Sequence, residues 1–312
     1  MKVRVFDVFT GIAGFSLGLD RALGDNIVHV GFGDIKQSAI DVCRYRYPDV
    51  VNYKDGDPIP NFDLLVGGSP CQDFSIAGKR AGLEGQKSSL FYYFLNLLVE
   101  YKPQNFMFEN VKGLLSSKKG ADFKAIVWLF KQAGYSIDYA VLNSKDFGVP
   151  QNRERVYVVG SRNKEVNIFP IKNSFLPTKV GDILLPKVDN KYTISDRLWD
   201  GHQRRKAEHG RRGNGFGYSI FDENSGYTST ISGRYYKDGS EILISQPGKN
   251  PRKITPIEGE RLHSFPDDWT RFGVNEKGLT YELSDSKRYE LLGNSVTVNI
   301  VEQIAKKLYG DH

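Results

Sequence analysis

Residues 3–23 read VRVFDVFTGIAGFSLGLDRAL. The apolar run Val3–Phe9 has the composition of a buried strand. The turn Phe9-Thr10-Gly11-Ile12-Ala13-Gly14-Phe15 follows, and residues 14–23 then space their apolar groups as one face of a helix. Glycines in such a turn let backbone approach a ligand and let the helix lie close on the strand. The same unit recurs downstream: HVGFGD then QSAIDVCRYRYP, FDLLVGG then SLFYYFLNLLVEY, NFMFENV then ADFKAIVWLFKQAGY, with SIDYAVLNS and RVYVVGSR closing the series. Alternation of strand and helix predicts a doubly wound, mainly parallel α/β sheet.

Beyond about residue 186 the texture changes. Residues 187–252 are rich in Gly, Asn, Ser, Tyr and Arg, with short β-like runs (YTSTISG, GSEILI) and no stretch that reads as a long helix. A second, smaller domain of loops and short strands is expected there. The last apolar-spaced segment, VTVNIVEQIAKKLYG, should return to the first domain. The expected division is residues 1–186 plus 285–312 for the larger domain and 187–284 for the smaller one with its hinge.

The 312 residues carry 43 Lys and Arg against 37 Asp and Glu, a net charge of +6. Net charge alone is weak evidence for a polyanionic partner. Its distribution says more: Arg197, Arg204, Arg205, Lys206, Arg211 and Arg212 cluster in one stretch, as expected of a phosphate-contacting surface or of a solvated basic loop. No apolar run is long enough to span a membrane, the first residues lack a signal-peptide pattern, and two cysteines make no disulfide framework. A cytoplasmic protein is expected. No metal-ligating set is assigned.

In open α/β sheets ligands sit beyond the carboxyl ends of the strands. Phe9, Gly11, Ile12, Ala13 and Gly14 form that turn here. Asp34, about 20 residues on, is placed to hold ribose hydroxyls, and Asp57 or Asp55 to meet an adenine amino group. The spacing is not G-x-G-x-x-G, which counts against a dinucleotide site. At the end of the third strand, Ser69-Pro70-Cys71-Gln72 places a cysteine in a glycine-flanked turn, with Lys79 and Arg80 nearby to favour a thiolate. Cys43, inside an amphipathic helix, reads as buried filler. Residues 72–89 read as a polar, glycine-rich lid. Glu109 in Phe108-Glu109-Asn110-Val111 and the arginines of Gln151-Asn152-Arg153-Glu154-Arg155 fall at the same sheet edge. A thiolate, a carboxyl group and paired arginines suit covalent attack on an electron-poor ring.

These stretches, in this order, resemble the DNA cytosine-C5 methyltransferase family. Phe9-x-Gly11 resembles its cofactor motif, Pro70-Cys71-Gln72 its nucleophile motif, and Glu109-Asn110-Val111 its ENV motif. Gln151-x-Arg153-x-Arg155 resembles its QxRxR motif. RKITP…RL…FPDDW (residues 252–269) and Gly293-Asn294-Ser295-Val296 resemble its closing motifs, so the likeness runs from about residue 4 to 309. The sequence departs from the pattern at Ala13, where the turn has its second glycine, at Asp34, where glutamate is usual, and at Ile35, where an aromatic residue often follows. Ala13 is compatible with that turn if its backbone angles are ordinary.

The resemblance implies a Rossmann-like, S-adenosylmethionine-dependent enzyme with a DNA-recognition domain. Cys71 would attack C6 of a flipped-out cytosine. Glu109 would hydrogen-bond or protonate N3, Arg155 would hold the base, and Arg153 would support the lid or the nucleophile. Ile35, Pro70, Asn294 and Val296 join the turn residues, Asp34 and Asp57 as cofactor contacts. Gln72, Ser75, Lys79, Arg80, Arg212, Asn214, Arg234, Tyr235 and Lys237 are the expected contacts to double-stranded DNA. RGNGFGY (212–218) and RYYKDG (234–239) resemble target-recognition domains of the Dcm-like branch, which implies a CC(W/N)GG- or CCGG-like palindrome. A monomer with a cognate restriction endonuclease, or an orphan or phage enzyme, is expected. A tRNA cytosine methyltransferase of the same fold fits the long basic segment less well. A nicotinamide-dependent oxidoreductase leaves the PCQ, ENV and QxRxR stretches unexplained. A DNA-binding module without activity would not need the reactive residues, all of which are present.

Overall fold

Strand β1 (Val3–Val8) lies between β2 (Ile27–Gly33) and β3 (Leu64–Gly67), parallel to both. The computed structural model describes residues 2–69, 90–172, 174–211, 213 and 217–310. β4 (Asn105–Val111) continues the sheet parallel to β3. β6 (Glu154–Ser161) then runs antiparallel between β4 and the edge strand β5 (Ser136–Asn143), giving the order β2-β1-β3-β4-β6-β5. The chain reverses its direction of travel across the sheet at β1, so the crevice for a ligand opens beyond the carboxyl ends of β1 and β3.

Helices cover both faces. On one, α1 (Gly14–Leu23) and the C-terminal α8 (Val298–Tyr309) bury Phe15, Leu19, Val301, Ile304 and Leu308 over Val5, Leu64 and Met107. The two helices approach so closely that a Cβ on Gly18 would lie 2.6 Å from Val301 Cβ. On the other, α3 (Leu90–Tyr101) and α4 (Ala121–Gln132) pack Phe91, Phe94, Leu98, Ile126 and Phe130 on Phe6, Leu65, Phe106 and Phe108. The α/β architecture expected from the sequence is the one observed. No helix among the described residues is long and apolar enough to cross a membrane.

The smaller region holds a three-stranded sheet of β7 (Ile220–Phe221), β8 (Leu243–Gln246) and β9 (Lys249–Lys253). It also holds a 16-residue helix, α5 (Asp196–Arg211), in the stretch expected to lack one. That expectation is corrected. Ser195 caps the helix, accepting from Leu198 N at 3.3 Å, and Gly213 (φ +72°) turns the chain beyond its last residue. Only one narrow face is covered, by Trp199 against Tyr218 (ring centroids 4.7 Å apart) and by the buried His202, so the helix carries few apolar residues.

From residue 255 the chain joins the two regions: Leu262 and Tyr289 pack with Ile231, Tyr235 and Ile254, and the segments beyond reach the larger domain. α6 (Pro256–Arg261) opens with Thr255 and Glu258 in a reciprocal cap. The hairpin of β10 (Phe272–Val274) and β11 (Thr280–Glu282) lies on α2 (Gln37–Arg46), with Tyr281 donating to Asp41 at 2.7 Å and Arg46 to the Trp269 carbonyl at 2.8 Å. α7 (Asp285–Gly293) leads into the turn 293–296 and so to α8.

Candidate active site

Antiparallel pairing of β4 and β6 sets Glu109 opposite Tyr157 and Val111 opposite Arg155. Directly opposed residues share a face, so the period of two puts Glu109, Arg153, Arg155 and Tyr157 on one side of the sheet. Glu109 Oε1 lies 3.1 Å from Arg155 Nε, and the two side chains are only 13% and 15% exposed. Burial raises the Glu109 carboxyl above its ordinary value, with the charges of Arg155 and Arg153 pulling the other way. The group is therefore nearer to holding a proton than a surface glutamate, while its anion has a cation at hand.

Backbone on the neighbouring strand fits tightly against it. A Cβ on Gly68 would stand 2.7 Å from Glu109 Oε2, so no side chain is admitted there. Asn110, 2% exposed, donates from Nδ2 to the Ser69 carbonyl at 2.8 Å and accepts from Val111 N at 2.9 Å. The end of β4 thereby holds the backbone just ahead of residue 70.

Arg153, also 2% exposed, spends its guanidinium on main-chain oxygens: Ile231 O at 3.2 Å, Gly293 O at 3.2 Å and Ser295 O at 2.5 Å. Burial lowers its pKa to about 9, with the Arg155 charge adding to the effect. Gln151, fully buried, donates to Leu262 O at 2.8 Å and accepts from Ile231 N at 3.1 Å. Backbone bonds from Thr228 N to Pro150 O and from Asn152 N to Thr228 O, 2.8 and 2.9 Å, extend the seam. His263 completes it. The ring is buried, its Nδ1 lies 3.0 Å from Gly259 O, and burial with the charges of Arg153 and Arg155 pushes its pKa to about 3. A neutral imidazole with Nδ1 donating is the form that fits beside the arginines.

At the other end of the crevice, three residues of the first turn have left-handed angles: Phe9 (φ 57°), Gly11 (φ 57°) and Ala13 (φ 60°). The condition under which an alanine would suit this turn without strain, ordinary angles at Ala13, is not met. Ala13 is fully buried and stands at the start of α1, where the close packing of the turn outweighs the cost of an alanine with positive φ. Asp34 ties the turn to β2, accepting from Gly11 N on one oxygen and Lys36 N on the other, both at 2.8 Å. Burial raises its carboxyl pKa. Beneath, the fully buried Asp7 accepts from Ser16 Oγ at 2.8 Å, and burial raises its carboxyl well above the ordinary range. Cys43 is buried with its thiol 3.4 Å from Gly11 O, as its reading as filler requires.

The remaining expected cofactor residues are placed unequally. Ile35 is 91% exposed beside Asp34. Ile12 has its side chain wholly in the core and its carbonyl bonded to Trp269 Nε1 at 2.8 Å. Gly14 meets Val296, which is buried; a Cβ there would come within 2.8 Å of it. Asn294 is exposed and donates to Glu290 O at 2.9 Å. Asp57, exposed, accepts from Lys54 N at 2.7 Å.

Among the expected DNA contacts, Arg234 and Lys237 are exposed, but Tyr235 is fully buried, its hydroxyl donating to Ile242 O at 2.7 Å and accepting from Ile254 N at 2.9 Å. Tyr235 is a core residue, and its assignment to DNA is corrected; Tyr236 is the exposed ring of the pair. Pro70, Cys71, Gln72, Ser75, Lys79, Arg80, Arg212 and Asn214 lie outside the described residues.

The family model for C-5 cytosine-specific DNA methylases matches residues 3–310. The chain belongs to that family. This methylase is 42% identical to the Type II methyltransferase M1.ScrFI of Lactococcus lactis subsp. cremoris, over 98% of its own length and 78% of the relative's. It is 43% identical to M.NlaX of Neisseria lactamica, over 98% and 96%. Of solved structures, the Entamoeba histolytica methyltransferase EhMeth superposes with a TM-score of 0.75 at 22% identity, covering 100% and 99% of the two chains. Spodoptera frugiperda DNMT2 does so at 0.76 and 20%, covering 99% and 100%; at such identities the likeness concerns the fold.

The protein is thus a DNA cytosine-C5 methyltransferase that uses S-adenosylmethionine and acts on DNA. In this methylase Gln151, Asn110 and His263 join the site without having been singled out as site residues from the sequence. The first two sit inside recognised motifs, where an amide side chain two residues from an arginine, or next to a glutamate, is the signal that could have been used. His263 carries no such signal.

Proposed function

We propose that Cys71 is the nucleophile, that Glu109 serves N3 of the flipped cytosine and that Arg155 steadies the base. The observation that carries this reading is the buried Glu109 at the sheet edge, with Arg155 on one side and the Gly68 backbone on the other. Attack of the Cys71 thiolate at C6, with a proton or hydrogen bond from Glu109 at N3, makes C5 an enamine carbon. When bound, the cofactor supplies an electrophilic methyl group on a sulfonium. Loss of the C5 proton and expulsion of Cys71 regenerate the aromatic ring and the free thiolate. Arg153 acts at a distance from these atoms, holding the turn 293–296 and Ile231 around the strand that bears Arg155.

The residues beyond β1 and β2 suit S-adenosylmethionine. Both Asp34 oxygens already accept one backbone N–H each, which leaves lone pairs for ribose hydroxyls. Ile35 offers an uncovered aliphatic surface on which an adenine can rest. Asp57 or Asp55 would take the adenine amino group. The turn 9–14, Pro70, Asn294 and Val296 would line the remainder.

Residues 187–252 are the proposed recognition region, of the Dcm-like kind, for a CC(W/N)GG- or CCGG-like palindrome. Arg212, Asn214, Arg234 and Lys237 are candidates to read or hold the duplex, and Gln72, Ser75, Lys79 and Arg80 to hold it from the catalytic side. Relatives named as Type II methyltransferases support a restriction–modification setting in the cytoplasm with a cognate endonuclease, the methylase itself working as a monomer.

The test is direct. Cys71→Ser should abolish methyl transfer and keep specific DNA binding, whereas Cys43→Ala should stay active. Duplexes with 5-fluorocytosine should trap the wild type covalently, since fluorine blocks the elimination. Bisulfite sequencing of DNA from expressing cells reads the target; methylation outside a CC…GG frame would remove the target assignment and leave the chemistry standing. Activity on tRNA and none on duplex DNA would overturn the substrate.

A further inference from the structure

The basic cluster ahead of residue 212 divides into two sets once it is wound into α5. Arg205 donates to Asp238 Oδ2 at 3.1 Å and lies 2.9 Å from His202 Nδ1, while Lys206 sits 4.3 Å above the Tyr218 ring. These two cations fasten the helix to its own domain. Arg197, Arg204 and Arg211 do not: all three are exposed, and none has an ion pair, hydrogen bond or ring contact from its side chain among the described residues.

The spacing of these three residues is seven and seven. Seven residues fall about 20° short of two full turns, so the three arginines form one slightly slanting row. That row lies on the side of α5 away from the covered face of Trp199 and His202. At a rise of about 1.5 Å per residue the row spans roughly 21 Å. The covered side of the same helix is anchored to the turn carrying the exposed Arg234, Tyr236 and Lys237: His202 Nε2 lies 3.2 Å from Asp238 O, and Arg205 holds the Asp238 carboxylate.

We propose that α5 follows one phosphate strand of the bound duplex through Arg197, Arg204 and Arg211, holding the region in register while the turn it supports meets the bases. This rests on the reading of residues 187–252 as the recognition region. Unpaired guanidinium groups in a row recognise evenly spaced anions, and such contacts orient a protein on DNA without carrying sequence information.

The experiment is the salt dependence of duplex binding by the full-length protein, on a cognate duplex and on one with a single mismatch. Arg197→Gln, Arg204→Gln and Arg211→Gln should each reduce the slope of log K against log salt by about 0.9, and the triple variant by about 2.7. The loss should be equal on both duplexes, and the corresponding lysine variants should keep the wild-type slope, because a phosphate needs only the charge. Lys124→Gln with Lys131→Gln, on exposed positions of α4, should leave the slope unaltered. An unchanged slope in the triple variant would overturn the assignment to α5, and so would a loss confined to the cognate duplex or not rescued by lysine. A wild type that binds both duplexes equally at every salt concentration would overturn the recognition reading itself.

Discussion

At the start of β6, Arg153 and Arg155 are almost out of water, and their donors are directed at four carbonyls and one carboxylate. On α5, Arg197, Arg204 and Arg211 stand in solvent with no partner among the described residues. The same side chain thus does two different jobs. A buried guanidinium costs several kcal/mol to desolvate and is retained only where every neighbour is arranged for it, so it fixes geometry and tolerates no change. An exposed one contributes little to stability and is free to meet a polyanion.

The comparison breaks most visibly at the carboxylate that Arg155 faces. Glu109→Gln should lower the methylation rate by roughly 10²- to 10⁴-fold, measured in single turnover; a wild-type rate would take Glu109 out of the chemistry. The same variant reports on burial. Because the folded carboxyl is raised, its contribution to stability is complete below the unfolded value near about 4.3 and is lost as pH rises through the raised value. Glutamine does not titrate, so thermal melts should show the wild type losing ground to Glu109→Gln from about pH 4 upward.

Arg153→Met comes next. Three buried carbonyls would lose their donor, at about 1 kcal/mol or more each, so urea unfolding should show a loss of about 3 kcal/mol. Arg153→Lys should not restore it, since one ammonium cannot replace the planar fork. Tyr235→Phe removes a buried hydroxyl with two partners and should cost about 1–2 kcal/mol, whereas Tyr236→Ala should stay within about 0.5 kcal/mol. The smallest effect is expected on α5: Arg204→Gln should shift stability by no more than about 0.5 kcal/mol. A larger loss there would mean that the helix surface is structural, and the contrast between the two sets of arginines would close.

The catalytic edge was legible because its information is local and periodic. Strand alternation puts Arg153 and Arg155 on one face, and motif order names the strand that Glu109 ends. The angles of Ala13 were not legible for the opposite reason: they are left-handed, imposed by the packing of a whole turn against the preference of an alanine. α5 was missed although Ser195 and Gly213 are start and stop signals, because arginine, glycine and histidine composition suggested a loop. Tyr235 and Tyr236 could not be told apart from RYYKDG, a six-residue stretch too short to show a period. His263 is buried by contacts from segments distant in the chain, which no local pattern records.

Gly293 has a consequence for anyone building chimeras. A Cβ at that position would fall 2.1 Å from the Ser232 carbonyl carbon and 2.2 Å from Gly233 N, so the closing turn and the 232–233 backbone are interlocked main chain against main chain. Thr228 is likewise bonded on both sides to residues 150 and 152. Modular exchange of specificity should therefore be cut around this clasp, taking residues 187–227 and 234–252 from the donor and leaving 228–233 with the recipient. A wholesale swap of 187–252 would transplant one half of an interlock into a partner shaped for another, and poor yield of folded chimera would follow from the joint alone.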